Sequence, residues 1–262
     1  MSVTVVSAYY PIQSKFPPEQ YLDWIRLFWP QNDANLVFFT SPQMTETIRG
    51  ILDGRPGKTC LVTIPFADLT AFRSLHPAVW MKTWESDSEK GRHTPELYGL
   101  WYEKKEFVRR AIEMNPFSSE KFVWCDAGIC RTPEWVGVLR RFPVAEMVPS
   151  GKMLLLSIDP FRPEDLERDG WGIPGKFGER ATVGGGILAS DRAGWDAWSA
   201  AYDAMLMRYW LSGRFIGKDQ NIMASVALAH PDLCVVTFAP PVMNSVTKWF
   251  YLLFYLSCVK LM

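Results

Sequence analysis

Seven short runs rich in valine, leucine, isoleucine and phenylalanine punctuate the chain: VTVVSAYY, NLVFFT, TCLVTIPF, KFVWCDAG, MLLLSID, TVGGGILAS and LCVVTF. Their near-continuous apolar character fits strands buried on both faces, because a strand with one wet face alternates apolar and polar residues. Helical patterns separate the runs. That alternation predicts an α/β fold around a largely parallel sheet. No repeat, low-complexity tract or interior linker divides the 262 residues, so one domain is expected.

Three helices are readable in detail. One covers about 18–29, with Tyr21, Leu22, Ile25 and Phe28 on one side. The second starts with Thr94 as N-cap and Pro95 at the first helical position, and ends before Pro116. The third follows Asp191, carries Trp195, Trp198, Tyr202, Met205, Leu206 and Tyr209 on one stripe, and stops at Gly213. Segment 160–180, PFRPEDLERDGWGIPGKFGER, has turn formers and charges in place of any period and reads as a loop.

Charge narrows the range of partners. Lysine plus arginine and aspartate plus glutamate balance at 28 each, so no net field draws a polyanion and nucleic acid is not an expected partner. Five cysteines, at 60, 125, 130, 234 and 258, form neither a C-x-x-C pair nor a zinc spacing, and read as free thiols in a reducing compartment. The opening SVTVVSAYY lacks the features of a secretory signal, so a cytoplasmic protein is expected. WFYLLFYLSCV, flanked by Lys248 and Lys260, is about half the roughly 20 residues of a membrane span. It reads as a closing core element, the alternative being peripheral contact with a membrane surface. The 12 tryptophans suit either an aromatic core or a cleft for a polar organic ligand.

Chemistry concentrates in four places. Lys104 falls inside the apolar stripe of the second helix, among Leu97, Leu100, Trp101, Val108, Ala111 and Ile112. Its ammonium must either snorkel to water or find an anion, a carboxylate or a ligand phosphate. In KFVWCDAGICR, Asp126 ends a strand where ligands of open α/β sheets bind, and is either a turn residue or a carboxylate able to hold a divalent cation. Gly128 allows close backbone approach, and Arg131 can grip a phosphate with two nitrogens. The run Gly184, Gly185, Gly186 interrupts a strand, as a bulge or as a backbone surface for a sugar.

Asp219 and Gln220 open a helix with Ile222, Met223 and Val226 on its apolar side. Asp219 is either a helix cap or a group that takes a proton from an acceptor hydroxyl. The sequence has no Walker phosphate loop and no dinucleotide fingerprint, which disfavours a Walker nucleotidase and a dinucleotide dehydrogenase. His76, His93 and His230 share no clustered spacing and support no histidine site.

Taken in order, the first strand, ELYGLWYEKKEFVRRAIEMNPF, KFVWCDAGICR, GGGILAS and GKDQNIM resemble the HtrL/YibB family of glycosyltransferase-like proteins over about 3–256. The resemblance implies a GT-A-like fold, Rossmann-type, with a mixed, mostly parallel central sheet flanked by helices. A nucleotide-binding half would cover about 1–130 and an acceptor-binding half about 131–262. It implies a nucleotide-diphosphate sugar as donor and a glycan or lipid-linked (glycolipid) acceptor, with a hexose or deoxyhexose transferred.

In glycosyltransferases of this fold a D-x-D motif holds Mn²⁺ or Mg²⁺ on the diphosphate. Here Asp126 matches its first position and Gly128 replaces the second. Either Asp126 alone holds a metal, or Lys104 and Arg131 neutralise the diphosphate. The glycine run resembles the segment under the donor sugar, and Asp219 with Gln220 resembles the pair near the anomeric carbon. Tyr9 and Tyr10, at the end of the first strand, either contact the base and ribose or simply pack. The alternative to a transferase is a noncatalytic sugar-nucleotide or glycan-binding relative of the same fold.

Overall fold

All seven apolar runs are strands in the computed structural model, which describes residues 2–175, 177 and 180–259; Lys260 and part of the 160–180 loop lie outside them. The strands are Val3–Tyr9 (β1), Asn35–Thr40 (β2), Thr59–Thr63 (β3), Lys121–Cys125 (β4), Met153–Ser157 (β5), Val183–Asp191 (β6) and Cys234–Phe238 (β7). They form one sheet in the order β3-β2-β1-β4-β6-β5-β7. Every pairing is parallel except the two that β6 makes, with β4 and β5.

Helices cover both faces: Pro18–Phe28 (α1), Thr45–Leu52 (α2), Thr70–Arg73 (α3), Pro77–Glu85 (α4), Pro95–Met114 (α5), Pro133–Val136 (α6), Arg192–Leu211 (α7), Asp219–Ala229 (α8) and Tyr251–Leu256 (α9). Alternate strand residues feed two separate cores, as the period-2 geometry of a strand requires. Val6, Val37, Phe39, Phe122, Trp124 and Leu188 pack on the side of α5, α7 and α8. Val5, Leu36, Phe38, Val123, Cys125 and Ile187 pack on the side of α1, α2 and α9. Both sides of the five inner strands are therefore largely dry, which is why their runs are apolar throughout, whereas the edge strands β3 and β7 are only partly covered.

The aromatic stripe of the third readable helix is buried along α7, and Asp191 caps it by accepting from the Gly194 amide (2.9 Å). Leu252, Leu253, Phe254 and Leu256 of α9 are buried in the second core, so the apolar C-terminal run closes the fold. Among the described residues no helix is long and apolar enough to cross a membrane. The 160–180 loop is tied down by a buried carboxylate, Asp165, which accepts from Arg180 Nη2 at 2.6 and 2.8 Å. All five cysteines are free.

Two topological facts position the functional cleft. The chain runs outward from β1 to β3 and then returns to β4 on the other side of β1, so a crevice opens over the carboxyl ends of β1 and β4. Because β6 runs against its neighbours, its first residues arrive at that same crevice beside the end of β4.

Candidate functional site

A cavity of about 160 Å³ over the ends of β1 and β4 adjoins a wider cleft of about 500 Å³, and Lys104, Asp126 and Arg131 line both. Its floor is a stack of rings. Tyr10 and Trp124 flank Phe107 with centroids 5.9 Å away on each side, joining β1, α5 and β4. Trp124 then donates from Nε1 to Asp126 Oδ1 (2.8 Å), so the core orients the carboxylate.

Asp126 is not a self-capping turn residue. Its backbone N–H donates to Gly186 O (2.8 Å) and its carbonyl accepts from the Ile129 amide (3.0 Å), but among the described residues its carboxylate takes no local amide. The side chain keeps 41% exposure, and lies at the bottom of the open cleft. Its depth there pushes the carboxyl above the ordinary carboxylate range, against the opposing pull of Lys104 and the Trp124 indole.

Lys104 resolves the choice that its sequence position leaves open. The ammonium is buried at the foot of the cleft: it donates to Gly185 O (2.8 Å) and faces Asp219 Oδ2 at 3.1 Å and Asp126 Oδ1 at 3.4 Å. Burial works against its charge, but the two carboxylates prevail and hold its pKa above the ordinary lysine value. Asp219, the first residue of α8, is buried, and Lys218 rather than Asp219 is the cap. Asp219 Oδ1 accepts from the Gln220 amide (2.8 Å), whereas Oδ2 faces Lys104 as an ion pair without an aligned hydrogen bond. Gln220 lines the wider cleft.

The glycine run is a bulge. From Ala189 to Gly184 β6 takes five steps, where β5 takes two, from Leu154 to Leu156. Gly185 is required by contact: an added Cβ would sit 2.9 Å from Asp219 Oδ2. Gly186 faces Ile129 (2.8 Å) and Asp126 Oδ2 (3.6 Å), whereas Gly184 faces Ile158 and turns from the cleft. Replacing Gly185 by alanine is therefore expected to cost about 1–3 kcal/mol by displacing Asp219 from Lys104. Gly184→Ala, whose nearest neighbour is the mobile end of Ile158 at 3.3 Å, should cost less. Urea unfolding of the two variants measures the difference.

The other residues singled out in the sequence sit around this centre. Tyr9 and Tyr10 line the inner cavity, but their hydroxyls donate to Pro18 O (3.3 Å) and Ile64 O (3.2 Å). Burial pushes Tyr9 up to about 12. Gly128 lines the cavity with its missing side chain aimed at packing: an added Cβ would lie 2.9 Å from Trp24 Cε3 and 3.2 Å from Tyr21 Cδ1. Arg131 stacks its guanidinium on Trp24 (4.3 Å), with Phe16 at 5.1 Å and Phe250 at 5.5 Å, and Nε donates to Gly128 O (3.2 Å).

Sequence reading missed those clamping rings, because a cation at 131 held between aromatics near the start and near the end of the chain has no spacing. It also missed His93, which meets Asp87 and Glu89 with ligating atoms within 4.8 Å of one another. The loop spacing D-x-E-x-x-x-H was the available signal. Those atoms already have partners: Asp87 Oδ2 accepts from Tyr98 (2.5 Å) and contacts His93 (2.7 Å), and Glu89 pairs with Lys218 (2.6 Å). The cluster thus anchors the start of α8.

At the end of β4 the protein oxygens gather around an ammonium. The two carboxylates and the carbonyl converge on Lys104, and among the described residues no third carboxylate, histidine or cysteine joins them.

The fold is similar to that of a solved xylosyltransferase. The crystal structure of mouse xyloside xylosyltransferase 1 in its apo form superposes with a TM-score of 0.51 at 12% identity, over 90% of this chain and 85% of that one. The chain itself belongs to the HtrL_YibB family, described as bacterial protein of unknown function, which matches residues 84–256. No curated protein matches it in sequence.

Proposed function

We propose that the chain is a glycosyltransferase that moves a sugar from a nucleoside-diphosphate sugar to a hydroxyl of a glycan or lipid-linked acceptor. One observation carries this reading: at the switch point of a GT-A fold, Asp126 and Asp219 face one buried ammonium beside an open cleft. In this reading the nucleotide lies over the first half of the chain, with Tyr9 and Tyr10 as its floor, and the acceptor meets the second half.

Asp219 takes the proton of the attacking hydroxyl while the bond from the sugar to the diphosphate breaks and the new glycosidic bond forms, if configuration inverts. If configuration is retained, Asp219 and Gln220 orient the sugar instead. The glycine bulge gives the sugar a surface without side chains at Gly185 and Gly186. A noncatalytic sugar-nucleotide binder is the second reading, favoured by Gly128 standing where a second carboxylate would complete the motif.

A panel of UDP-, GDP- and TDP-sugars separates the two readings. The expected result is release of nucleoside diphosphate from one donor class, at least tenfold slower in Asp126→Asn. Binding without release supports the second reading. If no donor binds and Asp126→Asn alters only stability, both fail.

A further inference from the structure

We propose that the donor site works without a divalent ion: Lys104 occupies the place of the metal between Asp126 and Asp219, and Arg131 with Lys15 takes the diphosphate. This deepens the transferase reading and rests on it. A divalent cation in an oxygen site performs two tasks, holding carboxylates together and neutralising a ligand anion. Lys104 performs the first. Its ammonium donates to Gly185 O (2.8 Å) and pairs with Asp219 Oδ2 (3.1 Å) and Asp126 Oδ1 (3.4 Å), and a dication shared by the same oxygens would have to sit on its nitrogen. The second carboxylate that would widen the site is excluded by packing, because a Cβ at 128 meets Trp24 at 2.9 Å.

The second task falls to other cations, since the charge of Lys104 is already matched by two carboxylates. Arg131 and Lys15 both line the cleft that contains Asp126. The Arg131 guanidinium is held by Trp24 (4.3 Å) and by its own Nε bond to Gly128 O (3.2 Å). Its terminal nitrogens have no hydrogen-bond partner among the described residues, so a preoriented fork remains for two phosphate oxygens. Lys15 is exposed at the rim and, among the described residues, makes no ion pair. Three cations against two carboxylates leave the cleft net positive without a metal.

The test is calorimetric titration of the intact chain with UDP, GDP and inorganic pyrophosphate, once with chelator and once with excess Mn²⁺. Electron paramagnetic resonance of Mn²⁺ alone accompanies it. The expected outcome is affinity equal within about threefold in the two buffers, weakened about tenfold in Arg131→Gln and about threefold in the surface variant Lys15→Gln. Diphosphate binding that requires Mn²⁺, a bound-Mn²⁺ signal lost in Asp126→Asn, or unchanged affinity in both cation variants overturns the proposal and leaves the transferase reading standing. Absence of diphosphate binding in either buffer overturns both.

Discussion

If the chain transfers sugar as proposed, exchanging Asp219 for asparagine is expected to lower the rate by about 10²–10⁴-fold, the usual scale for loss of a positioned general base. The substitution keeps the volume of the side chain and an oxygen able to accept from the Gln220 amide, now at 2.8 Å, so the first turn of α8 stays in place. What disappears is the charge that faces Lys104 at 3.1 Å and the capacity to accept a proton. Donor affinity should therefore change by only a few-fold while kcat collapses, a split that equilibrium binding and steady-state kinetics resolve. Azide, which attacks without surrendering a proton, should restore donor turnover in the variant if Asp219 is the base. A variant that keeps a third of the wild-type rate removes Asp219 from the chemistry. A slow variant that azide does not rescue leaves it an orienting role.

Much of this arrangement was legible in the chain, and the reason is burial. Strands dry on both faces must be apolar throughout, so the five inner strands appeared as continuous runs, and the half-covered edge strands β3 and β7 kept enough apolar residues to read the same way. The stripe of α7 kept the helical period because one side of it is buried, and the apolar residues of α5 kept theirs although its middle, Glu103 to Val108, is buried all round. Lys104 stood out for the same reason, as a charge on a buried stripe.

Strand direction was not legible. An apolar run reads the same whichever way it lies, so nothing in TVGGGILAS announced that β6 runs against its neighbours and brings Gly185 to Lys104. Asp219 looked like a cap, and a local reading could not see that Lys218 occupies the N-cap position and that a lysine from a distant helix faces the carboxylate. The short helices α3 and α4 carry too few residues for a period to emerge. The ring cage of Arg131 draws on Phe16, Trp24 and Phe250, which converge only in the folded chain.

Lys104→Met tests the centre of the site through stability, independently of any ligand. Methionine preserves the apolar stem but leaves Asp219, with 7% of its side chain exposed, without its buried counter-charge. Breaking a buried ion pair from one side costs about 3–5 kcal/mol, and the lower end is expected because the 41% exposed Asp126 can recruit water. The loss should depend on pH. Depth in the cleft already raises the Asp126 carboxyl above its ordinary value, and removing Lys104 takes away an influence that lowers it. A carboxyl whose pKa is higher folded than unfolded stabilises the fold below the unfolded value, about 3.9, and loses that contribution as pH rises through the folded value. The deficit of Lys104→Met relative to wild type should therefore be smallest near pH 4 and grow as pH rises through the folded value. Urea midpoints of both proteins across that range measure it, and adding Asp219→Asn to Lys104→Met should recover most of the loss, since the remaining buried group is then neutral. A deficit below about 1 kcal/mol that does not vary with pH would mean that Lys104 is solvated in solution and that the two carboxylates are not held by it.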